Sequence, residues 1–463
     1  MKRISQLRFL LIFALQIGLL IGMRVMLPAE FAGNENTDYR TFYRPVAAAI
    51  VTGEGIRLNG APALRYPPGY PALLAGAIGL ANLTGMSEDL LLSLFVALSA
   101  AASAVVLAML SESIWGKRWG WIAGVAWASY PLSLWMYKQS NSEAPFVLLL
   151  YLSLLATWRV IAVPNLWLAL LAGVMAGFSM LVRPIGVGVS AILAVLVFAL
   201  VKERPLTRTL LAACLLAGSL LAVAPWELWV YRQTGRTVPL STNGPASMVD
   251  GLAFAADHEQ AGAGFFLVSP TLLPVMRAVR AQRGKLGSTG GVLGTVASLA
   301  KREPLKMGLL LATKAARSWY ATESGRLEKP SLIVQMPYLL LSMLAVFLSC
   351  KAGERYRGAG LAVGLLVLYF WVMTIAVLSI SRYTVPAIGL LFLLWPAIPI
   401  WWEGAKVKVV LSSTFKVLSC RSPEGSECLV SSSMNQEPRT DVHPDQFSES
   451  GTTTQNFEPR TED

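Results

Sequence analysis

Charge is what this sequence has least of. Only 14% of its 463 residues are Asp, Glu, Lys or Arg, where soluble domains carry about 25%. An ordinary water-soluble globular chain is excluded on that ground. Histidine is nearly missing: His258 and His443 are the whole supply, too few for a histidine-rich metal centre. Cysteine is almost as scarce. Cys214 and Cys350 fall in apolar runs, and Cys420 and Cys428 in a polar tail. No disulfide-framed outer loop is expected, and the tail pair lacks a zinc-site pattern. Acids number 27 against 39 Lys and Arg, leaving a net charge of +12. Those cations lie between apolar runs, not in one patch. They read as membrane-flanking residues, and nucleic acid is not an expected partner. No internal repeat is visible, nor any inverted pair of broken helices such as transporters carry.

What is present in excess is apolar sequence, 54% of the chain. Runs of about 20 apolar residues, enough to cross a bilayer, recur along it. Ten spans are expected, near 8–28, 88–110, 119–137, 144–162, 166–182, 184–201, 208–226, 331–350, 359–380 and 384–402. The fold class is an all-α polytopic membrane protein. The N-terminal run is too long for a signal peptide and lacks a cleavage site, so it reads as an uncleaved first span. Arg183-Pro184 alone separates the fifth span from the sixth, and the two read as a broken hairpin. The composition divides the chain at residue 402. Residues 1–402 form the membrane domain, and 403–463, rich in Ser, Thr, Glu, Gln and Pro, read as a disordered cytoplasmic tail.

Lys2, Arg3, Lys117, Arg118, Arg159, Lys202, Arg204, Lys351, Arg357 and Lys406 all fall on one side of a ten-span layout. That side is expected to be the cytoplasm, with both termini in it. Two long loops, 29–87 and 227–330, then stand outside, and loops of that length are usually functional. In the first, the apolar stretch after Arg65-Tyr66-Pro67-Pro68 is too short to span and reads as an interfacial helix. In the second, TLLPVMRAVRAQRGKLG and REPLKMGLLLATKAARSWYA read as basic amphipathic helices, lying on the outer leaflet or over a site.

Four ionisable residues stand at the outer mouths. Asp38 sits in the first loop, where it either meets a lipid head group or simply caps the next helix. Glu143 opens the fourth span, where an acid also suits the helix dipole. Together the two carboxylates could hold a divalent cation or divide the work of base and orienting group. Arg183 lies at the break between two spans, and Arg382 at the mouth of the last. A guanidinium fork suits a phosphate, and ordinary snorkelling is the other reading of each.

Five stretches in order carry a resemblance. They are TDYRTFYRPVAAAIVTGEG with RYPPGYPALLAG, then SNSEAPFVLLLYLSLLA, GFSMLVRPIGV, APWELWVYRQTGRTVPLSTNG and SRYTVPAIGLLFLL. Together they resemble the GT-C glycosyltransferases over about residues 5–400. The branch is that of protein O-mannosyltransferases and lipid A aminoarabinose transferases, known as family 39 or RgtA/B/C/D-like. The resemblance implies a membrane hexosyl- or pentosyltransferase of the bacterial cytoplasmic membrane. Its donor would be a polyprenyl-phosphate-linked sugar, and its acceptor an envelope lipid, glycan or protein on the extracytoplasmic face. It implies Asp38 and Glu143 as catalytic acids. Arg65, Tyr66, Arg183, Asn243, Arg382 and Tyr383 fall in the matching motifs as substrate-binding residues. Relatives carry an acidic pair where Asp38 is followed by Tyr39, and a metal requirement stays open. The alternative reading is a lipid-linked sugar flippase or other transporter, which requires ions at mid-membrane and pseudo-symmetric halves.

Overall fold

A peptide group inside lipid has no water to bond, so a crossing segment must satisfy its own amides as helix. The structure, a computed structural model, meets that demand. It describes residues 2–28, 38–256, 265–352 and 354–403. Its helices are α1 (Lys2–Met26), a short π-helix (Tyr39–Tyr43), α2 (Arg44–Val51), α3 (Gly69–Thr84), α4 (Glu88–Trp115), α5 (Trp121–Ala128), α6 (Pro131–Tyr137), α7 (Glu143–Ala162), α8 (Leu166–Val182) and α9 (Val189–Leu200). They continue as α10 (Pro205–Thr234), α11 (Gly244–Ala253), α12 (Leu273–Ala281), α13 (Thr289–Arg302), α14 (Pro304–Arg317), α15 (Glu328–Lys351), α16 (Glu354–Ala376) and α17 (Ser381–Phe392). The strands among the described residues are β1 (Arg57–Leu58) and β2 (Ala61–Pro62), an antiparallel hairpin in the first loop. The expected tail, with Cys420, Cys428 and His443, lies outside the described residues, as does His258.

Among the described residues, seven segments are long and apolar enough to cross a membrane: Gln6–Met26, Glu88–Trp115, Glu143–Ala162, Pro205–Thr234, Glu328–Lys351, Tyr356–Ala376 and Ser381–Glu403. Three expected spans are shorter. The stretch expected at 119–137 is two short helices, α5 and α6, and this corrects the single-span reading. The cause is Pro131. Its ring disfavours helical backbone at the residue before it, and Tyr130 is extended at φ −69°, ψ 115°. The same chemistry breaks the chain at Arg183, φ −144°, ψ 118°, ahead of Pro184. A 3-10 turn (Pro184–Gly186) and α9 follow. The Tyr369 hydroxyl fastens that break, accepting from the Gly188 amide at 2.8 Å and donating to the Ile185 carbonyl at 2.7 Å.

Helices in lipid attract one another by close contact, so small residues line their seams. Helix α8 carries Gly173 and Gly177 one turn apart, against α10. A Cβ on Gly173 would stand 1.8 Å from the Leu215 carbonyl oxygen. From α10, a Cβ on Gly218 would stand 2.2 Å from the oxygen of Leu170. Elsewhere Trp127, fully buried, donates to Ser103 Oγ at 2.9 Å, and Tyr151 donates to the Pro386 carbonyl at 3.0 Å, tying α4, α5, α7 and α17.

The second long loop has its own apolar core. Val249 and Leu252 of α11, Val275, Met276 and Val279 of α12, Val292 of α13, and Met307 and Leu310 of α14 form it. The two helices expected there are α12 and α14; α11 and α13 are additional.

The α8–α10 seam leaves no room for a side chain. Gly173→Val is expected to lower stability by about 1–3 kcal/mol through overpacking, read as a fall in melting temperature of the purified protein in detergent.

Candidate active site

The site is built at chain breaks. Glu143 stands in the first turn of α7 and is fully buried. Arg183 is the residue that closes α8, thrown off the helix axis by Pro184. Arg382 opens α17 after Ile380, which is extended at φ −127°, ψ 148°. The two guanidiniums converge on one atom: Arg183 Nη1 and Arg382 Nε both engage Glu143 Oε1. Arg183 Nη1 also donates to Ser142 Oγ at 3.0 Å. The Arg183 guanidinium lies 5.0 Å from the centre of the Tyr383 ring, a cation–π approach. An isolated buried carboxylate is costly, and here two cations compensate it. One acid and two arginines leave a net local charge of +1.

Asp38 precedes the π-helix in helical backbone, and its side chain makes no capping hydrogen bond. Its Oδ1 instead accepts from Arg65 Nη2 at 3.2 Å. Arg65 Nε donates to Asn243 Oδ1 at 3.4 Å, and Asn243 Nδ2 donates to the Tyr66 hydroxyl at 3.1 Å and to Ser247 Oγ at 2.8 Å. Ser241 Oγ and the Thr242 amide bond the Arg65 and Leu64 carbonyls at 2.5 and 3.1 Å. The Ser-Thr-Asn motif of the second loop thus clasps the Arg-Tyr motif of the first.

Tyr43 joins the two halves. Burial pushes its hydroxyl above the ordinary tyrosine value; Arg183 and Arg382 pull it back, and Asp38 and Glu143 raise it further. All four ions act on this one residue. Tyr66 is raised in the same way, by burial first and then by Asp38. The Tyr43 and Tyr66 ring centres are 5.1 Å apart. The outer edge of Arg382 faces Glu323, with Nη1 3.9 Å from Oε2. Arg382 also lines a cavity of about 330 Å³ whose wall carries Trp135, Lys138, Gln139 and Asn141 beside Leu132, Leu327 and Val334.

A divalent cation does not fit Asp38 and Glu143 as placed. Each acid engages its own arginine, Glu143 Oε1 is shared by two, and among the described residues no group of three His, Cys, Asp or Glu could hold a metal.

Among the described residues, four buried ions were not singled out from the sequence: Lys138, Lys314, Arg317 and Glu328. Arg317 makes a two-pronged pair with Glu328 at 2.7 and 3.0 Å, beneath Phe254 and Phe265. The pair closes the segment that carries Glu323. Lys314 donates to the carbonyls of Gly251 at 2.5 Å and Val377 at 3.1 Å, the C-terminal ends of α11 and α16. A signal existed: Lys314 and Arg317 fall at helical spacing on the stripe of Met307 and Leu310.

Residues 66–229 match the family described as dolichyl-phosphate-mannose-protein mannosyltransferase. No curated protein matches the chain. Among solved structures, the oligosaccharyltransferase AglB of Archaeoglobus fulgidus, in complex with an inhibitory peptide and a dolichol-phosphate, aligns over 88% of this chain and 52% of its own. Its identity is 14% and its TM-score 0.55. The apo form of the Archaeoglobus enzyme aligns over the same shares at 13% identity and a TM-score of 0.54. ArnT from Cupriavidus metallidurans, bound to undecaprenyl phosphate, aligns over 85% of this chain and 77% of its own at 15% identity, with a TM-score of 0.39. The chain spans about half the length of the oligosaccharyltransferases it matches. The likeness to them is one of fold: an all-helical membrane protein with GT-C neighbours.

Glu143→Gln removes the charge between the buried Arg183 guanidinium and the partly exposed one of Arg382. It is expected to cost about 3–5 kcal/mol, read as a drop in melting temperature, and adding Arg183→Met is expected to recover part of it. Lys314 supplies a pH test. Burial, with Arg317 beside it, pulls its amine from 10.5 down to about 7. The unfolded chain therefore binds this proton more readily than the folded one. The stabilising difference is present above 10.5 and lost as pH falls toward 7. Melting temperature should rise from pH 7.5 to 10, and Lys314→Met should remove that slope.

Proposed function

We propose that this chain transfers a sugar from a polyprenyl-phosphate-linked donor to a hydroxyl of an envelope lipid, glycan or protein, on the extracytoplasmic side of a bacterial cytoplasmic membrane. The observation that carries the reading is the convergence of Arg183 and Arg382 on Glu143, beside an Asp38 held by Arg65. The family match over residues 66–229 supports the donor class, and the dolichol-phosphate held by the Archaeoglobus enzyme fits it.

The chemistry is a displacement at the anomeric carbon. Asp38 takes the proton of the acceptor hydroxyl, and the freed oxygen attacks the carbon. The bond to the phosphate oxygen breaks, and its electron pair leaves with the lipid phosphate. A phosphate is already a good anion, so it needs fixed cations more than a proton. Arg382 and Lys138 supply them at the cavity wall. Glu143 does not act as the base in this reading. Fully buried and doubly engaged, it sets the angle of both guanidiniums. Arg65 aims Asp38, while Asn243, held by Tyr66, holds Arg65. With one carboxylate and no covalent intermediate, the sugar inverts.

The test is incubation of purified protein with radiolabelled polyprenyl-phosphate sugars and a crude envelope acceptor. Asp38→Asn is expected to lower transfer by about 10²–10⁴-fold while the protein still binds the labelled donor. Full transfer by Asp38→Asn would remove Asp38 from the chemistry.

A further inference from the structure

Helix α14 is built inside out. Its buried side carries Met307 and Leu310 together with the basic side chains of Lys314 and Arg317. Its open side carries Leu305, Gly308, Leu309, Leu311, Ala312 and Ala316, all exposed and none polar. Leu305 is 88% exposed. Lys306, at the margin of that face, is ion-paired to Glu303. Helix α12 of the same loop has the opposite polarity, with Val275, Met276 and Val279 inward and Arg277 in the open. A helix over water hides its leucines and shows its charges, as α12 does. One that shows leucines and hides charges faces an apolar medium.

The packing of α14 indicates which medium. Trp371 Nε1 donates to the Ala315 carbonyl at 3.0 Å, and Lys314 reaches Val377. These contacts fall at the end of α16, a helix of spanning length, and lie about 9 Å of helical rise apart. Half of a hydrocarbon core is about 15 Å. Along the same stretch α16 presents Leu368 and Val372, each about half exposed. The open face of α14 is thus continuous with the apolar surface of a span. The Trp319 and Trp371 rings lie 5.8 Å apart at this level, and tryptophans gather at the membrane boundary. Just ahead of α14, Lys301 and Arg302 are exposed, suited to lipid phosphates.

We infer that α14 lies half-sunk in the leaflet beside the site. Acyl chains cover Leu305, Leu309 and Leu311, and Lys301 and Arg302 rest on phospholipid head groups. The occupant of the face is membrane lipid, and the helix holds the second loop at a set height over the bilayer. This inference does not depend on the sugar-transfer reading.

The test uses the full chain in lipid vesicles. Leu305→Cys and Leu309→Cys are each labelled with bimane, in a background with Cys214, Cys350, Cys420 and Cys428 replaced by alanine. Lipids brominated on the acyl chain should quench both labels as strongly as a label at Val372→Cys. A label at Arg277→Cys should answer to aqueous iodide instead. Iodide quenching at 305 and 309 without lipid quenching would overturn the inference. So would shielding from both quenchers that disappears on dilution in the bilayer, which would mean a second copy covers the face. The unmodified chain gives an independent measurement. A diazirine-bearing phospholipid should crosslink the tryptic peptide 307–314 along with peptide 358–382, and adducts on 358–382 alone would equally overturn it.

Discussion

One carboxylate oxygen organises this molecule. Glu143 Oε1 is met by guanidiniums from the end of α8 and the start of α17. Neither cation could be buried at that depth without it, nor it without them. The three groups arrive from points where the chain stops being helix. Prolines or extended residues there aim side chains across the helix axes. The hydrogen bonds left over at those breaks are met locally, as where Tyr369 bridges Ile185 and Gly188. Interrupted helix supplies the groups of the cluster at Arg183 and at the start of α17.

Around this ion cluster the two long loops act as one body. The first provides Asp38, Arg65 and Tyr66, and the second provides Asn243 and the Ser-Thr pair that grips the backbone of the first. A flexible acid at a membrane surface would be a poor proton acceptor for an oriented hydroxyl. Pinned through Arg65 to Asn243, Asp38 has a fixed direction. The buried Arg317–Glu328 pair similarly fixes the segment that brings Glu323 to Arg382.

Much of the architecture was legible as hydropathy. The limits of α8 stand at 166–182 as read, and the spans at 144–162 and 331–350 lie within a few residues of α7 and α15. The reading failed at 119–137, where an unbroken apolar run concealed the effect of Pro131 on Tyr130. It passed over the glycine pair of α8, although Gly173 and Gly177 have a spacing with a clear physical meaning. Candidate ions could be placed near span ends from the limits of the apolar runs. Their pairing could not, because Glu143 meets Arg183 across 40 residues and Arg382 across 239, and no periodicity encodes such distances. Lys314 and Arg317 were open to view on a helical projection. The segment was read as a basic amphipathic helix, and its two buried cations were not picked out from the others.

The separation between Glu143 and Arg382 also bears on how the protein is born. Ribosomes add about 5–20 residues per second, so Glu143 waits roughly ten seconds to a minute for its second cation. During that time the emerging chain can offer only Arg183. Until residue 382 is made, the second guanidinium is missing from the cluster. Completion of α17 supplies that guanidinium, and a chain released short of it carries an unfinished cluster.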